Sequence, residues 1–292
     1  MATLRFFNEQ AANASHEHIR FSFGKNWEKY CSALNESAIK HAENSFITFT
    51  QLPRLDDDTF LDLGCGSGLS SLVAHRLGAK RVLSVDIDPY SINCVTALRA
   101  RFASGTDRWE IRKGSVLDRD FLASLGRFSY VYSWGVLHHT GAMWQALGNV
   151  TNCVESGGKL HTALYNEHKN SLRWLKVKRI CNKGPRTVLP ILKISLALLI
   201  CVQLLAHFKS PVKYIGQYQE NRGMTFWRDI EDWLGGLPYE YSKPDQVVDF
   251  LSNYGFMLLK LRATDSSGCN EFLFKLESPS MKKDDRKFSS CV

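Results

Sequence analysis

Short apolar runs alternate with helical patterns between residues 59 and 164, and this alternation limits the fold more than any other feature of the chain. Five runs have the length and composition of buried strands, namely Thr59–Leu63, Arg81–Val85, Trp109–Arg112, Ser129–Ser133 and Lys159–Leu164. Helical patterns lie between them, near Leu69–Leu77, Tyr90–Phe102, Phe121–Leu125 and Ala142–Cys153. Strands that are joined through helices build parallel sheets, so the sequence predicts an α/β fold.

The alternation stops after Leu164 and resumes near the C-terminus. A helix is predicted near Pro244–Asn253, followed by strands at Gly255–Ala263 and Asn270–Leu276 with a hairpin-type connection between them. The sequence therefore predicts five segments: an N-terminal helical flap (1–55), a ligand-binding core (56–165), a basic and apolar helical insert (166–240), the end of the core sheet (241–277) and a disordered tail (278–292).

Composition excludes several classes of protein. A chain of 292 residues with 44% apolar and 23% charged side chains has the material for a folded core, unlike a disordered or collagen-like chain. Its eight cysteines form no Cys-x-x-Cys pair, which argues against a disulfide framework and a zinc site. The first residues lack a basic region followed by an apolar stretch, so we expect a cytoplasmic protein in a reducing compartment.

A glycine-rich loop, Asp62-Leu-Gly-Cys-Gly-Ser-Gly68, joins the first strand to the first helix. Its three glycines allow backbone N–H groups to approach a ligand closely at the helix N-terminus. A dinucleotide-binding fingerprint needs its third glycine at position 69, which is Leu69 here. Asp86 closes the second strand, where a carboxylate accepts both hydroxyls of a ribose. The spacing disfavours NAD and indicates another ribose-containing cofactor.

The same loop resembles the first motif of the class I S-adenosylmethionine (SAM) dependent methyltransferases, and the resemblance extends from Phe60 to Leu164. It implies that SAM is the cofactor, that the glycines hold its amino-acid part and that Asp62 binds its ammonium group. By the same resemblance, Asp86 takes the ribose hydroxyls. The resemblance also implies a Rossmann-like, mostly parallel sheet of seven strands whose last strand is antiparallel, preceded by the N-terminal flap and carrying the insert before the last helix and hairpin.

The segment Gly114–Asp118 lies where that family contacts the adenine. The family's usual acidic residue is replaced by Ser115, which leaves Ser115 and Asp118 as alternatives for the exocyclic amine. Trp134 is expected to pack on the cofactor, with a place in the core as the alternative. The full set of expected cofactor-binding residues is Asp62, Gly64, Cys65, Gly66, Gly68, Asp86, Ile87, Ser115, Val116, Asp118 and Trp134.

Two adjacent histidines, His138 and His139, follow the fourth strand on the side of the sheet where ligands of parallel sheets bind. Similar Leu-His-His sequences occur in the ubiquinone-biosynthesis O-methyltransferases, which modify small phenolic or hydroxylated molecules. An imidazole is suited to remove a proton from the acceptor, so either histidine is a candidate base. The alternative is that one histidine caps the next helix and the other packs against the adenosine.

Tyr165 and Asn166 directly follow the fifth strand, and both are expected to hydrogen-bond substrate. The alternative is that they are ordinary residues at a strand end. Downstream, the segment Arg222–Tyr241 combines aromatic, acidic and glycine residues and forms either a substrate wall or a packing surface. No metal is expected, because His16 and His18 are two residues apart and one helical face cannot present both.

The insert carries the positive charge of the chain, since the segment His168–Gln219 contains ten Lys and Arg residues and no Asp or Glu. Within it, Val188–Leu205 is an apolar stretch that Pro190, Lys193 and Gln203 interrupt, and it approaches the length needed to cross a bilayer. A helical wheel places Lys193, Gln203 and His207 within about 80° of one another, which favours lying in a membrane interface, or roofing an apolar pocket, over spanning the bilayer. Nucleic acid is a competing but less favoured partner, since no RNA-binding motif is present.

These features predict a SAM-dependent methyltransferase that acts on a small or lipid-like acceptor, with an oxygen as the favoured nucleophile. One alternative is a protein of the same fold that binds a ligand without catalysis, and another is an RNA methyltransferase that uses the basic insert. The expected location is the cytoplasm, with peripheral attachment to membranes.

Overall fold

A seven-stranded sheet lies at the centre of the protein in the computed structural model, which describes residues 34–185, 187–218 and 225–277. The strands are β1 (Thr59–Leu63), β2 (Arg81–Asp86), β3 (Trp109–Lys113), β4 (Phe128–Trp134), β5 (Val154–Tyr165), β6 (Phe256–Arg262) and β7 (Cys269–Leu276). Their order across the sheet is β3-β2-β1-β4-β5-β7-β6. Strands β1 to β5 run parallel to one another, whereas β7 is antiparallel to both β5 and β6. The predicted fold class is confirmed.

Ten α-helices are described in these ranges. They are α1 (Glu36–Thr50), α2 (Leu69–Arg76), α3 (Pro89–Phe102), α4 (Arg119–Leu125), α5 (Met143–Thr151), α6 (Ser171–Lys183), α7 (Val188–Ala206), α8 (Pro211–Gly216), α9 (Phe226–Gly235) and α10 (Pro244–Ser252). The four helices predicted between the strands and the helix before the hairpin are present, with ends that differ by one or two residues.

The beginning of β5 is the largest difference from the predicted strand boundaries. The sequence predicts that this strand begins at Lys159, after two glycines, whereas β5 already begins at Val154. Val154 pairs with Phe128, and the register then shifts before Tyr130 pairs with Lys159. The irregularity accommodates Gly157, whose φ of 79° is a left-handed conformation that favours glycine.

Helices cover both faces of the sheet because residues alternate between faces along each strand. Leu61 and Leu63 of β1 face a core cluster with α4, α5 and α10. Phe60, between them, faces the opposite cluster with α1, α2 and α3. The result is a helix–sheet–helix sandwich in which the carboxyl ends of the parallel strands remain available for a site.

Helix α1, the first described helix, covers the face of the sheet to which Phe60 points. Phe46 packs on Tyr130, with ring centroids 5.6 Å apart, and Phe49 stacks on His161 at 4.9 Å. Helix α1 belongs to the predicted flap, whose other residues up to 33, including His16 and His18, lie outside the described part of the chain, so the flap stays a prediction. The predicted disordered tail at 278–292 also lies outside it.

The insert folds into helices α6 to α9, which share an apolar cluster of their own. Phe226, Ile230 and Leu234 of α9 are buried at its centre. Ala197 of α7 is also buried there, and Trp174 and Val177 of α6 pack against the cluster. The sequence predicts a helical insert, and its helices pack together on α9 as a small layer of their own.

The burial of the sheet gives a direct test of this architecture. Replacing Leu160 of β5, which is fully buried, by Ala is expected to lower the free energy of unfolding by about 2–5 kcal/mol, because a cavity remains in the core. The matched change Leu259→Ala on β6, where the side chain is 44% exposed, should cost less than about 1 kcal/mol. Denaturant titration measures both values, and equal losses would contradict the described sheet.

Candidate functional site

A cavity of about 470 Å³ opens at the carboxyl ends of the parallel strands. This volume is within the range of about 300–1,000 Å³ that is usual for small-molecule sites. The cavity is lined by nine of the eleven residues predicted to bind cofactor, namely Asp62, Gly64, Cys65, Gly66, Asp86, Ile87, Ser115, Val116 and Trp134. His138, His139 and Tyr165 line the same cavity.

The glycine loop turns sharply where β1 meets α2. Gly64, Gly66 and Gly68 have φ angles of 77°, 52° and 81°, a left-handed conformation that other residues rarely adopt. A Cβ atom on Gly64 would lie 2.4 Å from the side chain of Val136. A Cβ atom on Gly68 would lie 2.5 Å from the side chain of Val95. Gly68 therefore has a structural reason to be glycine, although it is the N-cap of α2 and is not among the lining residues.

Asp86 is held in place by backbone groups at the end of β2. Its Oδ2 accepts a hydrogen bond from Gly66 N at 2.9 Å, and its Oδ1 accepts one from Asp88 N at 2.9 Å. Each carboxylate oxygen has a second lone pair that can accept a further hydrogen bond. Asp86 thus ties the glycine loop to β2 and presents two acceptors to the cavity, as ribose recognition requires.

Asp62 ends a buried chain of hydrogen bonds that crosses the sheet. Trp109 Nε1 donates to Ser84 Oγ at 2.8 Å, Ser84 donates to Ser71 Oγ at 2.6 Å, and Ser71 donates to Asp62 Oδ2 at 2.6 Å. Burial raises the pKa of Asp62 to about 7, although the Ser71 hydrogen bond opposes this shift. A carboxyl group in this state is well suited to pair with a cation that enters the cavity.

The two alternatives for the adenine contact lie in different places. Ser115 lines the cavity next to Val116. The Asp118 carboxylate accepts a hydrogen bond from Phe121 N at 3.0 Å and so caps the N-terminus of α4. Asp118 is not among the lining residues, and its role as a cofactor contact finds no support in this geometry.

His138 and His139 form a short 3-10 turn after β4, and contacts from distant parts of the chain fix both rings. Tyr165 N–H donates to His138 Nδ1 at 3.2 Å, so neutral His138 carries its proton on Nε2. His139 Nδ1 lies 2.7 Å from the Pro238 carbonyl oxygen, which accepts only, so His139 carries its proton on Nδ1. The lone pair of His139 is therefore on Nε2.

Burial keeps both histidines in their neutral form. It lowers the pKa of His138 well below its usual value, with the neighbouring His139 and Lys178 as further causes. It lowers the pKa of His139 to about 3, although the hydrogen bond to Pro238 opposes the shift. Both rings are consequently neutral at physiological pH, and only His139 has the tautomer that can accept a proton through Nε2.

The two residues predicted to contact substrate after β5 have different surroundings. Tyr165 lines the cavity, and its ring packs on that of His138 with centroids 3.9 Å apart. Asn166 is turned toward the β6–β7 connection, where its amide donates to the carbonyl oxygens of Thr264 at 2.7 Å and Ser266 at 3.1 Å. Asn166 is therefore a structural residue, because these long-range contacts occupy its side chain.

Other lining residues are ones that the sequence pattern does not single out. Asp229 and Asp232 of α9, which belong to the segment Arg222–Tyr241, bring two carboxyl groups to the cavity, and a substrate wall there stays a prediction. Tyr132, Thr140 and Cys269 also line it. Trp134, also at the cavity, donates from Nε1 to Glu271 at 3.3 Å. Only the acidic character of the segment Arg222–Tyr241 gives a sequence signal for these contacts.

Within the described ranges, no group of three His, Cys, Asp or Glu side chains could hold a metal ion.

The raised pKa of Asp62 predicts how binding depends on pH. If Asp62 pairs with the ammonium of SAM or of its product S-adenosylhomocysteine, affinity should fall by up to about tenfold for each pH unit below 7, because the protonated carboxyl lacks the charge. Asp62→Asn should bind more weakly and lose this dependence. Asp118→Asn, which alters a residue outside the cavity, should keep it. Calorimetry with S-adenosylhomocysteine measures all three, and an unchanged slope in Asp62→Asn would contradict the assignment.

The same shift affects stability in the opposite direction. Without ligand, the folded protein holds a proton on Asp62 more tightly than the unfolded chain does, whose pKa is near 3.8. The contribution of this group to stability is therefore present below about pH 4 and is lost as pH rises toward 7.

Comparison with known proteins gives a consistent result. Residues 61–160 match the methyltransferase domain family. The ribosomal protein L11 methyltransferase of Colwellia psychrerythraea is 46% identical over 57 residues, which is 20% of this chain and 19% of that protein. The tRNA U34 carboxymethyltransferase of Methylococcus capsulatus is 33% identical over 100 residues, which is 34% of this chain and 30% of that protein. The chain thus spans less than a third of the length of either relative.

Solved structures extend the likeness in fold to most of the chain. An O-methyltransferase family protein from Burkholderia thailandensis aligns with a TM-score of 0.53 and 13% identity, over 92% of this chain and 67% of that one. A SAM-dependent methyltransferase from Anabaena variabilis aligns with a TM-score of 0.51 and 9% identity, over 88% of this chain and 96% of that one. Residues 61–160 are therefore similar to a methyltransferase domain, and most of the chain shares the fold of these two structures.

Proposed function

We propose that the protein transfers the methyl group of SAM to a small or lipid-like acceptor, with a hydroxyl oxygen as the favoured nucleophile. The observation that carries this proposal is a single cavity with two different halves. The glycine loop and Asp86 form one half, whereas His139, Tyr165 and α9 form the other. An acceptor in the second half would lie beside a cofactor held by the first, as direct transfer requires.

The chain's own residues act mainly by positioning. SAM supplies an electrophilic methyl group and its own leaving group, so the protein must orient the acceptor and receive a proton. In the proposed reaction, a bond forms between the acceptor oxygen and the methyl carbon, the bond from that carbon to sulfur breaks with its electron pair left on sulfur, and the acceptor proton passes to His139 Nε2 and from there to water. The Tyr165 ring and the acidic side of α9 would hold the acceptor, with His139 Nε2 as the group that receives its hydrogen bond.

The choice of His139 over His138 rests on the two tautomers. His138 uses its Nδ1 lone pair to accept from Tyr165 N–H, so toward the cavity it can only donate. His139 donates from Nδ1 to Pro238, and this tautomer makes Nε2 the acceptor nitrogen of the ring. We therefore propose that His138 positions the turn and that His139 contacts the nucleophile.

The names of the relatives suggest two other classes of acceptor, a protein and a tRNA. One acts on a ribosomal protein and another on a tRNA, by their names, but each alignment covers at most about a third of this chain. A small or lipid-like acceptor is supported by the cover that α9 provides over the cavity and by the exposed apolar side chains of the insert. The cations of the insert would equally suit RNA, which makes an RNA methyltransferase the second candidate. We propose the cytoplasm as the location, in line with the reducing compartment that the cysteine spacing leads us to expect.

Labelled SAM separates these candidates. The full-length protein is incubated with SAM labelled in the methyl group and with lipid, water-soluble small-molecule, RNA and protein fractions of a cell extract. We expect label in the lipid or small-molecule fraction. Label confined to RNA or protein would contradict the acceptor class. Binding of S-adenosylhomocysteine without transfer to any fraction would indicate a binding protein instead of an enzyme.

The role of His139 has its own test once an acceptor is known. His139→Ala is expected to lower turnover by about 10²–10⁴-fold and to leave the affinity for S-adenosylhomocysteine within about twofold. Because the pKa of His139 is lowered to about 3, this ring stays neutral between pH 8 and about pH 5. Its protonation should therefore cause no loss of the wild-type rate over that range. Full turnover in His139→Ala would eliminate the residue as the proton acceptor.

A further inference from the structure

Helix α7 carries an exposed apolar stripe that its own fold leaves unpartnered. Ile191, Ile194, Leu198, Val202 and Leu205 follow one another at spacings of three and four residues, so they lie on one side of the helix. Their side chains are between 56% and 62% exposed. The opposite side of α7 packs into the cluster of the insert, and the stripe faces away from it.

The one charged residue of α7, Lys193, is on the inner side of the helix. Lys193 forms an ion pair with Glu231 of α9 at 2.7 Å. A soluble surface helix normally turns its charged residues to water and its apolar residues to the core. In α7 the charged residue is paired with the domain while the apolar stripe is exposed, with Ser195 and Gln203 as the polar residues exposed on the same helix, which indicates an apolar surrounding other than the core.

The neighbouring helix α6 supplies charge beside this stripe. Its exposed residues fall within a sector of about 120° when each residue advances by about 100°, and they are Leu172, Arg173, Lys176, Arg179, Ile180 and Lys183. Its inner side packs with α7 and α9. The outer faces of α6 and α7 therefore adjoin, one with cations and one with apolar side chains.

The turn after α7 continues the apolar surface. Phe208 has a φ of 56°, a left-handed conformation that disfavours a residue with a Cβ atom, and its side chain is fully exposed. Val212 of α8, four residues further along the chain, is 83% exposed. An exposed aromatic ring at the end of an apolar helix is typical of residues at the boundary between lipid and water.

We propose that the outer face of α6, α7 and the α7–α8 turn docks on an anionic lipid bilayer, with α7 lying in the membrane interface. Apolar side chains without a partner and cations on the adjoining face match the two parts of such a surface, acyl chains and acidic headgroups. Because both α6 and α7 pack on α9, which lines the cavity, docking places the candidate site close to the bilayer.

Lying on the membrane fits α7 better than crossing it. Its 19 residues span about 28 Å at 1.5 Å per residue, enough by length and composition to cross a membrane. However, the helix packs along one side on α6 and α9, and Lys193 is paired with a residue of α9. Crossing would break these contacts and expose Glu231, whereas lying in the interface keeps them.

Vesicle binding by the full-length protein tests the proposal without any acceptor or activity. The protein is sedimented with vesicles of phosphatidylcholine and phosphatidylglycerol, and separately with phosphatidylcholine alone. We expect binding to the first that is lost at about 1 M salt, where the Debye length is about 3 Å, and much weaker binding to the second. No binding to the acidic vesicles, or equal binding to both, would overturn the proposal.

Matched variants locate the surface. Leu198→Glu with Val202→Glu should abolish binding, whereas Leu259→Glu on β6, an exposed leucine outside the insert, should not. Lys176→Gln with Lys183→Gln should weaken binding about 25-fold, since each cation is worth about fivefold near an acidic surface. Arg101→Gln with Lys113→Gln, on α3 and the edge strand β3, should leave it within about twofold.

Two further measurements make the result decisive. Every variant should bind S-adenosylhomocysteine like the wild type, which shows that the core is folded. Light scattering reports whether a second copy of the chain covers the stripe, and a wild-type dimer that Leu198→Glu dissociates would overturn lipid as the partner. Retained vesicle binding in the stripe variants, or a preference for RNA over acidic vesicles, would overturn it as well. Vesicle binding does not depend on methyl transfer, so failure of either proposal leaves the other testable.

Discussion

The contact between the glycine loop and the end of β2 is the constraint on which the candidate site depends. The Val85 carbonyl oxygen accepts from Gly64 N at 2.8 Å and from Cys65 N at 3.0 Å, and the Asp86 carboxylate accepts from Gly66 N. Three consecutive backbone donors of the loop are thereby bonded to two consecutive residues of β2. The conformation that allows this pattern is left-handed at the glycines, so their lack of side chains decides the shape of the cavity.

The cofactor half of the site follows from local sequence, and the acceptor half does not. The glycine loop and Asp86 are recognisable because each lies at the end of a strand whose apolar run is itself evident, and the order of strands in the chain brings them together. The histidine turn instead takes its orientation from Pro238, 99 residues further along the chain. Asn166 likewise finds its partners about 100 residues away, and no periodicity in the sequence encodes such pairings.

The insert shows a related limit. Its helicity, basic character and apolar stretch can be predicted from composition and spacing, and the helices are present. The sequence alone does not show which side of α7 meets the domain, because Lys193 could face water or a partner. The ion pair with Glu231 on α9 decides this, since it holds Lys193 against the domain while the stripe from Ile191 to Leu205 stays exposed. The meaning of an amphipathic pattern thus depends on what the rest of the fold offers to each side.

One helix, α9, connects the two surfaces to which we assign functions. Asp229 and Asp232 line the cavity, whereas Glu231 pairs with Lys193 and Ile230 is buried against the insert. A single rigid element therefore has neighbours in both places. Suppose that docking on a membrane displaces α9 and thereby changes the affinity of the cavity for its ligands. Thermodynamic linkage then requires that those ligands change the affinity of the protein for the membrane by the same factor. A ligand in the cavity would then change the fraction of the protein that is bound to the bilayer.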